Sequence, residues 1–98
     1  MKIFISQPMG GRSDREILDE RRVVMNLIRR STGRGNQNVS FIDSWLECNE
    51  GPIWCLGESI KLMQQADLVI FVPGWEKARG CRIEHEVCER YNIPYMEI

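Results

Sequence analysis

The sequence predicts an α/β three-layer sandwich built on a four-stranded parallel sheet. Short apolar runs alternate with amphipathic stretches in the order βαβαβαβ. Alternation of this kind implies parallel strands joined by right-handed crossovers, with helices on both faces. One run, "ADLVIFV" at 66–72, is continuous and β-rich, as expected of a strand buried on both faces. The length of 98 residues suits a single domain over 1–98, which buries roughly 60–65% of its unfolded surface.

The elements follow in order. "KIFIS", 2–6, is the first strand, and "QPMGGR" is a loop by its Pro and two Gly. "SDRE" supplies a capping box, with Ser13 as N-cap and Glu16 three residues later. Ile17, Arg21, Val24 and Ile28 then recur at spacings of four, three and four, joined by Leu18, Met25 and Leu27. They predict an amphipathic helix over about 14–30. "STGRGNQN", 31–38, ends it with two Gly and two Asn. "VSFID", 39–43, is the second strand, and "SWLECNEG" is a loop with room for a turn of helix.

Pro52 suits a first helical position, and "IWCLGESIKLMQQ" continues as the second helix, weakened in its first half by Gly57. "ADLVIFV" is the third strand, "PGWEKARG" a loop, "CRIEHEVCERY" the third helix and "PYMEI" the last strand. In the third helix Ile83, Val87 and Tyr91 repeat every four residues and predict one face. Glu84, Val87, Cys88 and Tyr91 follow the i, i+3, i+4, i+7 pattern, which puts Glu84 on or beside the apolar stripe.

The expected strand order is 2-1-3-4, the flavodoxin-like member of the Rossmann-like sheets. Its switch point lies between strands 1 and 3, where ligands bind outside the carboxyl ends of the strands. "SQPMGGR" meets "PGWEKARG" and the start of the third helix there. Glu84 faces inward in that helix's first turns, and the helix N-terminus favours its ionised form. Two readings stand: a reactive carboxylate at a ligand crevice, or a helix-start charge hydrogen-bonded to the first loop.

Further candidates surround the same edge. Gly10, Gly11 and Arg12 precede a capped helix, so glycine backbone, guanidinium and helix N-terminus form a candidate phosphate site. The alternative is a Gly-rich turn with a solvated arginine. Trp75 can stack on a base, and Asp43 at the end of strand 2 can reach a sugar hydroxyl. Trp45 and Trp54 flank a loop that covers the site or packs on a partner. Asp67 opens strand 3 at the far end and reads as a structural cap.

Composition excludes other classes. Net charge is −1 with no block of like charges, so a nucleic-acid polymer or an anionic membrane is not indicated. No apolar run approaches a membrane span, and "MKIFIS" reads as a strand and not as a signal peptide, which points to the cytoplasm. Cys48, Cys55, Cys81 and Cys88 show no CxxC spacing, and His85 joins no Cys/His pattern. They read as buried thiols and not as a metal site, with a Cys48–Cys55 disulfide left open. No cofactor is called for.

"KIFISQPMGGRSD", "ADLVIFV" and "GCRIEHEVCERYNIP" together resemble the nucleoside 2-deoxyribosyltransferase-like superfamily, over nearly the whole chain. The resemblance is nearest to its small bacterial and phage proteins of unassigned function. It implies the sandwich fold, a nucleoside or nucleotide substrate, and cleavage or exchange of an N-glycosidic bond. The nucleophile it implies is a helix glutamate, which falls on Glu84 and suits retaining glycosyl transfer. Substrate contacts then fall on Ser6, Gln7, Met9, Gly10, Gly11, Arg12, Asp43, Ser59, Trp75 and Gly80.

Several helper positions depart from the family pattern. Glu86 and Cys88 stand where Gly and Ala usually follow the glutamate. Ala78 replaces an Asp or Ser, Ser59 an Asp, and Ile3 a first-strand Tyr. A non-catalytic nucleotide-binding module is the alternative, and an interaction protein with a vestigial site a third reading. Resembling proteins usually assemble, with a neighbouring subunit helping to cover the site, so a homodimer is expected.

Overall fold

A computed structural model describes residues 1–31, 39–45 and 49–98. Its strands are β1 (Lys2–Ser6), β2 (Ser40–Phe41), β3 (Leu68–Phe71) and β4 (Tyr95–Glu97). The helices are α1 (Asp14–Ser31), α2 (Pro52–Met63) and α3 (Arg79–Tyr91). A 3₁₀ turn at Trp75–Lys77 leads into α3. The four strands pair in parallel in the order β2-β1-β3-β4, so the expected α/β sandwich and strand order are observed.

Handedness dictates which face each helix takes. The chain steps one way from β1 to β2, then back across β1 to β3 and on to β4. Right-handed crossovers therefore put α1 on one face and α2 and α3 on the other. The core divides accordingly, because successive strand residues point to opposite faces. Ile3, Ile5, Ile70 and Val72 pack with Val24 and Ile28 of α1. Phe4, Val69 and Phe71 pack with Met63 of α2 and Cys88 of α3.

Local chemistry sets the helix ends. The capping box of α1 forms: the Glu16 amide donates to Ser13 Oγ at 3.2 Å, and the Ser13 amide donates to Glu16 Oε1 at 3.4 Å. Pro52 opens α2. Asn92 closes α3 in the left-handed region at φ 55°, and the Ile93 amide donates to Cys88 O at 3.0 Å. Asp67 is the expected cap at the far edge, accepting from the Lys2 amide at 2.7 Å.

Three expectations need correction. The second strand shortens from 39–43 to two residues, as an edge strand can. The face of α3 predicted from Ile83 and Tyr91 is not the buried one, since these residues are 39% and 76% exposed. Its buried positions are Cys81, Glu84 and Cys88. Finally, Cys55 is disulfide-bonded, whereas Cys81 and Cys88 are free and buried. Cys48 and the helix stop from residue 32 to 38 lie outside the described residues. Among the described residues no helix is long and apolar enough to cross a membrane.

Candidate functional site

At the carboxyl ends of β1 and β3 a cleft of about 620 Å³ opens at the switch point of the sheet. Its floor comes from the end of β1 and the following loop, and its walls from α2 and the start of α3. Register places Ser6 beside Phe71, so the last residue of β1 stands at this edge. Gly74, at φ 95°, then turns the chain away from the sheet in the left-handed conformation that glycine tolerates.

Glu84 is the centre of the cleft's chemistry. It is 6% exposed on the inner face of α3. Ser6 Oγ donates to its Oε1 and Ser59 Oγ to its Oε2, each at 2.6 Å. Lengths of this order are those of hydroxyls donating to an ionised carboxylate. The two serines come from β1 and α2, so three elements converge on one carboxyl group. A carboxylate has about four lone-pair sites, and the two bonds leave capacity for a reacting atom in the cleft.

Electrostatics around Glu84 differ from expectation. Burial raises its pKa above the ordinary carboxylate value, and the Ser59 and Ser6 hydrogen bonds only partly oppose this. The helix N-terminus does not decide the balance, because α3 starts at Arg79 and the dipole acts mainly within the first turn. The neighbouring thiols are not activated. Burial pushes Cys81 to about 11, with Ser6 opposing and the Glu84 charge adding. Cys88 is likewise pushed up to about 11 by burial and then by Glu84 and Glu89. Neither is a thiolate near neutral pH.

The structure brings most of the sequence-predicted residues together. Ser6, Gln7, Met9, Gly10, Ser59 and Gly80 line the cleft with Glu84. Ser59, read as the loss of a family carboxylate, instead holds Glu84 directly. Ala78 also lines the cleft and brings no polar side chain.

Four predicted contacts fall elsewhere. Arg12 is turned back: its Nη1 donates to Pro8 O at 3.0 Å and Glu20 Oε1 at 2.8 Å. That ion pair raises the Arg12 pKa, chiefly through the Glu20 hydrogen bond. Gly11, at φ 73°, serves the turn and does not line the cleft. Asp43 is exposed and accepts from the Trp45 amide at 3.2 Å. Trp75 stacks on His85, with ring centroids 4.1 Å apart and planes at 9°, outside this cleft. The 3₁₀ turn carries its ring onto His85 of α3 and Phe71 of β3, which a sequence pattern does not reveal.

Sequence reasoning missed Arg21, Ser44, Lys77 and Arg79, all of which line the cleft. Arg21 had a visible signal, a cation on the buried stripe of α1 between Ile17 and Val24. Lys77 and Arg79 sit in the crevice loop already singled out, and Ser44 carried no signal of its own. The cleft's charges are therefore Arg21, Lys77 and Arg79 against Glu84. Among the described residues no group of three or more His, Cys, Asp or Glu is placed to hold a metal ion.

A second concavity, of about 670 Å³, lies along the outer side of α3 and includes Trp75, Arg82 and His85. Among the described residues no strand residue lines it, and its two carboxylates, Glu86 and Glu89, are engaged on the helix surface by Arg90 at 2.9 Å and His85 at 3.1 Å. The Glu84 cleft is the better candidate because it combines a buried carboxylate with the switch point of the sheet. No curated protein and no solved structure matches the chain. The model of one family, described as a domain of unknown function (DUF4406), matches residues 1–96, and the chain belongs to that family.

Proposed function

We propose that the protein cleaves or transfers the N-glycosidic bond of a nucleoside or nucleotide, with Glu84 as nucleophile. The observation that carries this reading is the buried Glu84 carboxylate, fixed by Ser6 and Ser59 on the wall of the switch-point cleft. A free lone pair of Glu84 attacks the anomeric carbon, the C–N bond breaks, and the base leaves with the bonding electrons. A glycosyl ester remains on Glu84. Attack on it by water or a second base frees the carboxylate. Resemblance to the nucleoside 2-deoxyribosyltransferase-like superfamily suggests the same step. We further assign the protein to the cytoplasm, acting on a small molecule and not on a nucleic-acid polymer or membrane, as a homodimer.

One observation favours a second reading, a nucleotide-binding module without turnover. A departing base takes up a proton, yet no second carboxylate and no histidine lines the cleft among the described residues. Base release from a panel of nucleosides and 5′-nucleotides, followed by chromatography, separates the two. Cleavage in wild type that falls roughly a thousandfold or more in Glu84→Gln supports the enzyme. A 2-fluoro sugar analogue should then leave an adduct on Glu84 by mass spectrometry. Ligand-dependent thermal stabilisation without turnover or adduct establishes the binding module.

A further inference from the structure

We propose that the Arg21–Ser44 corner of the cleft binds an oxyanion, a phosphate or carboxylate group carried by the ligand. The inference rests on the cleft being a ligand site, as in the proposed function, but not on chemistry at Glu84. Arg21 occupies a position on α1 where its neighbours on the stripe, Ile17 and Val24, are buried aliphatics. A guanidinium in such a place is costly unless its charge and its donors find partners.

Those partners are only partly supplied by the protein. Arg21 Nε donates to Gln7 Oε1 at 3.2 Å. Gln7 is itself fixed, its Nε2 donating to Ile17 O at 2.7 Å and Glu20 Oε1 at 2.9 Å. Glu20 Oε1 also takes the Arg12 bond at 2.8 Å, so this carboxylate of α1 is committed elsewhere. Asp43 acts on Arg21 only through space. Arg21 Nη2 is buried with no hydrogen-bond partner among the described residues.

Ser44 repeats the pattern from a different element. Its residue is 6% exposed, and its Oγ is buried without a partner among the described residues. Ser44 follows β2, Arg21 comes from α1, and both line the cleft that holds Glu84. Orphaned buried polar atoms are rare, and two on the wall of one cleft point to a shared acceptor.

Charge decides what kind of acceptor. A hydroxyl or a carbonyl would satisfy the hydrogen bonds but would leave the guanidinium charge offset only by Asp43 through space, which burial outweighs. An oxyanion satisfies both, with several lone pairs that suit the guanidinium fork and a hydroxyl together. Lys77 and Arg79 line the same cleft, so its field also favours an anion. The anionic end of the ligand therefore lies at the α1–β2 side and not at Gly10-Gly11-Arg12, where Arg12 is tied to Glu20.

Titration calorimetry on the full chain tests this with paired probes. The probes are inorganic phosphate, 2′-deoxyuridine with its 5′-monophosphate, and uracil with uracil-6-carboxylate. At least one acidic member should bind tenfold or more tighter than its neutral partner, and which pair shows it tells phosphate from carboxylate. Arg21→Met, which keeps the apolar stem, and Ser44→Ala should each weaken the acidic ligand about tenfold or more, the loss of a charge-assisted bond. Binding of the neutral partner should stay within twofold. Equal binding of acidic and neutral partners overturns the proposal, as does no binding of any acidic probe at millimolar concentration. If Arg21→Met fails to fold, Ser44→Ala decides alone, and acidic binding within twofold of wild type overturns the proposal. Anion binding that persists in a wild type with no base release leaves this site standing while the glycosidic reading fails.

Discussion

Glu84 sits in a place that holds its charged form in position and opposes the charge at the same time. Two serine hydroxyls donate to it, but burial is the larger effect and raises its pKa. The folded state therefore binds the Glu84 proton more tightly than the unfolded chain does. The sign follows: stability from this group is full below the unfolded value, near 4.5, and is lost as pH rises through the folded one. Glu84→Gln removes that loss, and serine hydroxyls can rotate to donate or accept as the amide requires. The variant should gain melting temperature relative to wild type as pH rises from about 4 to 8. Thermal melts across that range check it, and a variant that melts lower at pH 8 makes Glu84 a structural tie. Ser59→Ala removes a bond that lowers the Glu84 pKa. It should shift the acidic limb of any pH–rate profile upward and cost about 1.5–3 kcal/mol of stability at pH 8. Glu84 was legible because a carboxylate at helical spacing beside apolar residues invites explanation. Arg21 stood on the α1 stripe just as visibly, but sequence does not report which buried donors lack partners.

At the scale of elements, the loop after β1 and the helix that follows are one unit held by side chains. Gln7, Arg12 and Glu20 tie residues on both sides of the turn into a single network. The Arg12 and Glu20 side chains are 26% and 30% exposed, so the pair is only partly screened. Arg12→Ala should therefore cost about 1 kcal/mol of stability by denaturant unfolding, with little change in anion affinity. A large loss of anion affinity with unchanged stability would return the phosphate role to Arg12. Here the chemistry of the segment was legible and its use was not. A glycine pair before a capped helix predicts a turn, and Gly11 makes one. Whether the next arginine points into the cleft or back to Glu20 depends on a tertiary contact. The same limit explains α3. Ile83 and Tyr91 have the right period for a core face, but Cys81 and Cys88 flank Glu84 on the side that meets the sheet.

For the whole molecule, the order of strands was legible because few arrangements survive. Alternating elements demand a parallel sheet, and handedness ties each change of direction to a change of face. The radius of gyration of 13.0 Å is that of a compact chain of this length. What the sequence conveys less directly is where the molecule leaves apolar surface outside its core. Ile53 is 85% exposed and Trp54 44% exposed in the first turn of α2. Their neighbours Pro52, Cys55 and Leu56 line the Glu84 cleft, so the patch is continuous with the mouth of the site. A second copy seated there would cover both the patch and the cleft, as the family resemblance leads one to expect. Light scattering at micromolar concentration should then give about twice the chain mass of 11.5 kDa. Ile53→Glu places a charge at the centre of the patch and should weaken association roughly tenfold or more. If Ile53→Glu becomes monomeric and also loses ligand affinity, the neighbouring copy helps close the site. A wild type that remains monomeric assigns Ile53 and Trp54 to the cleft rim of a single chain.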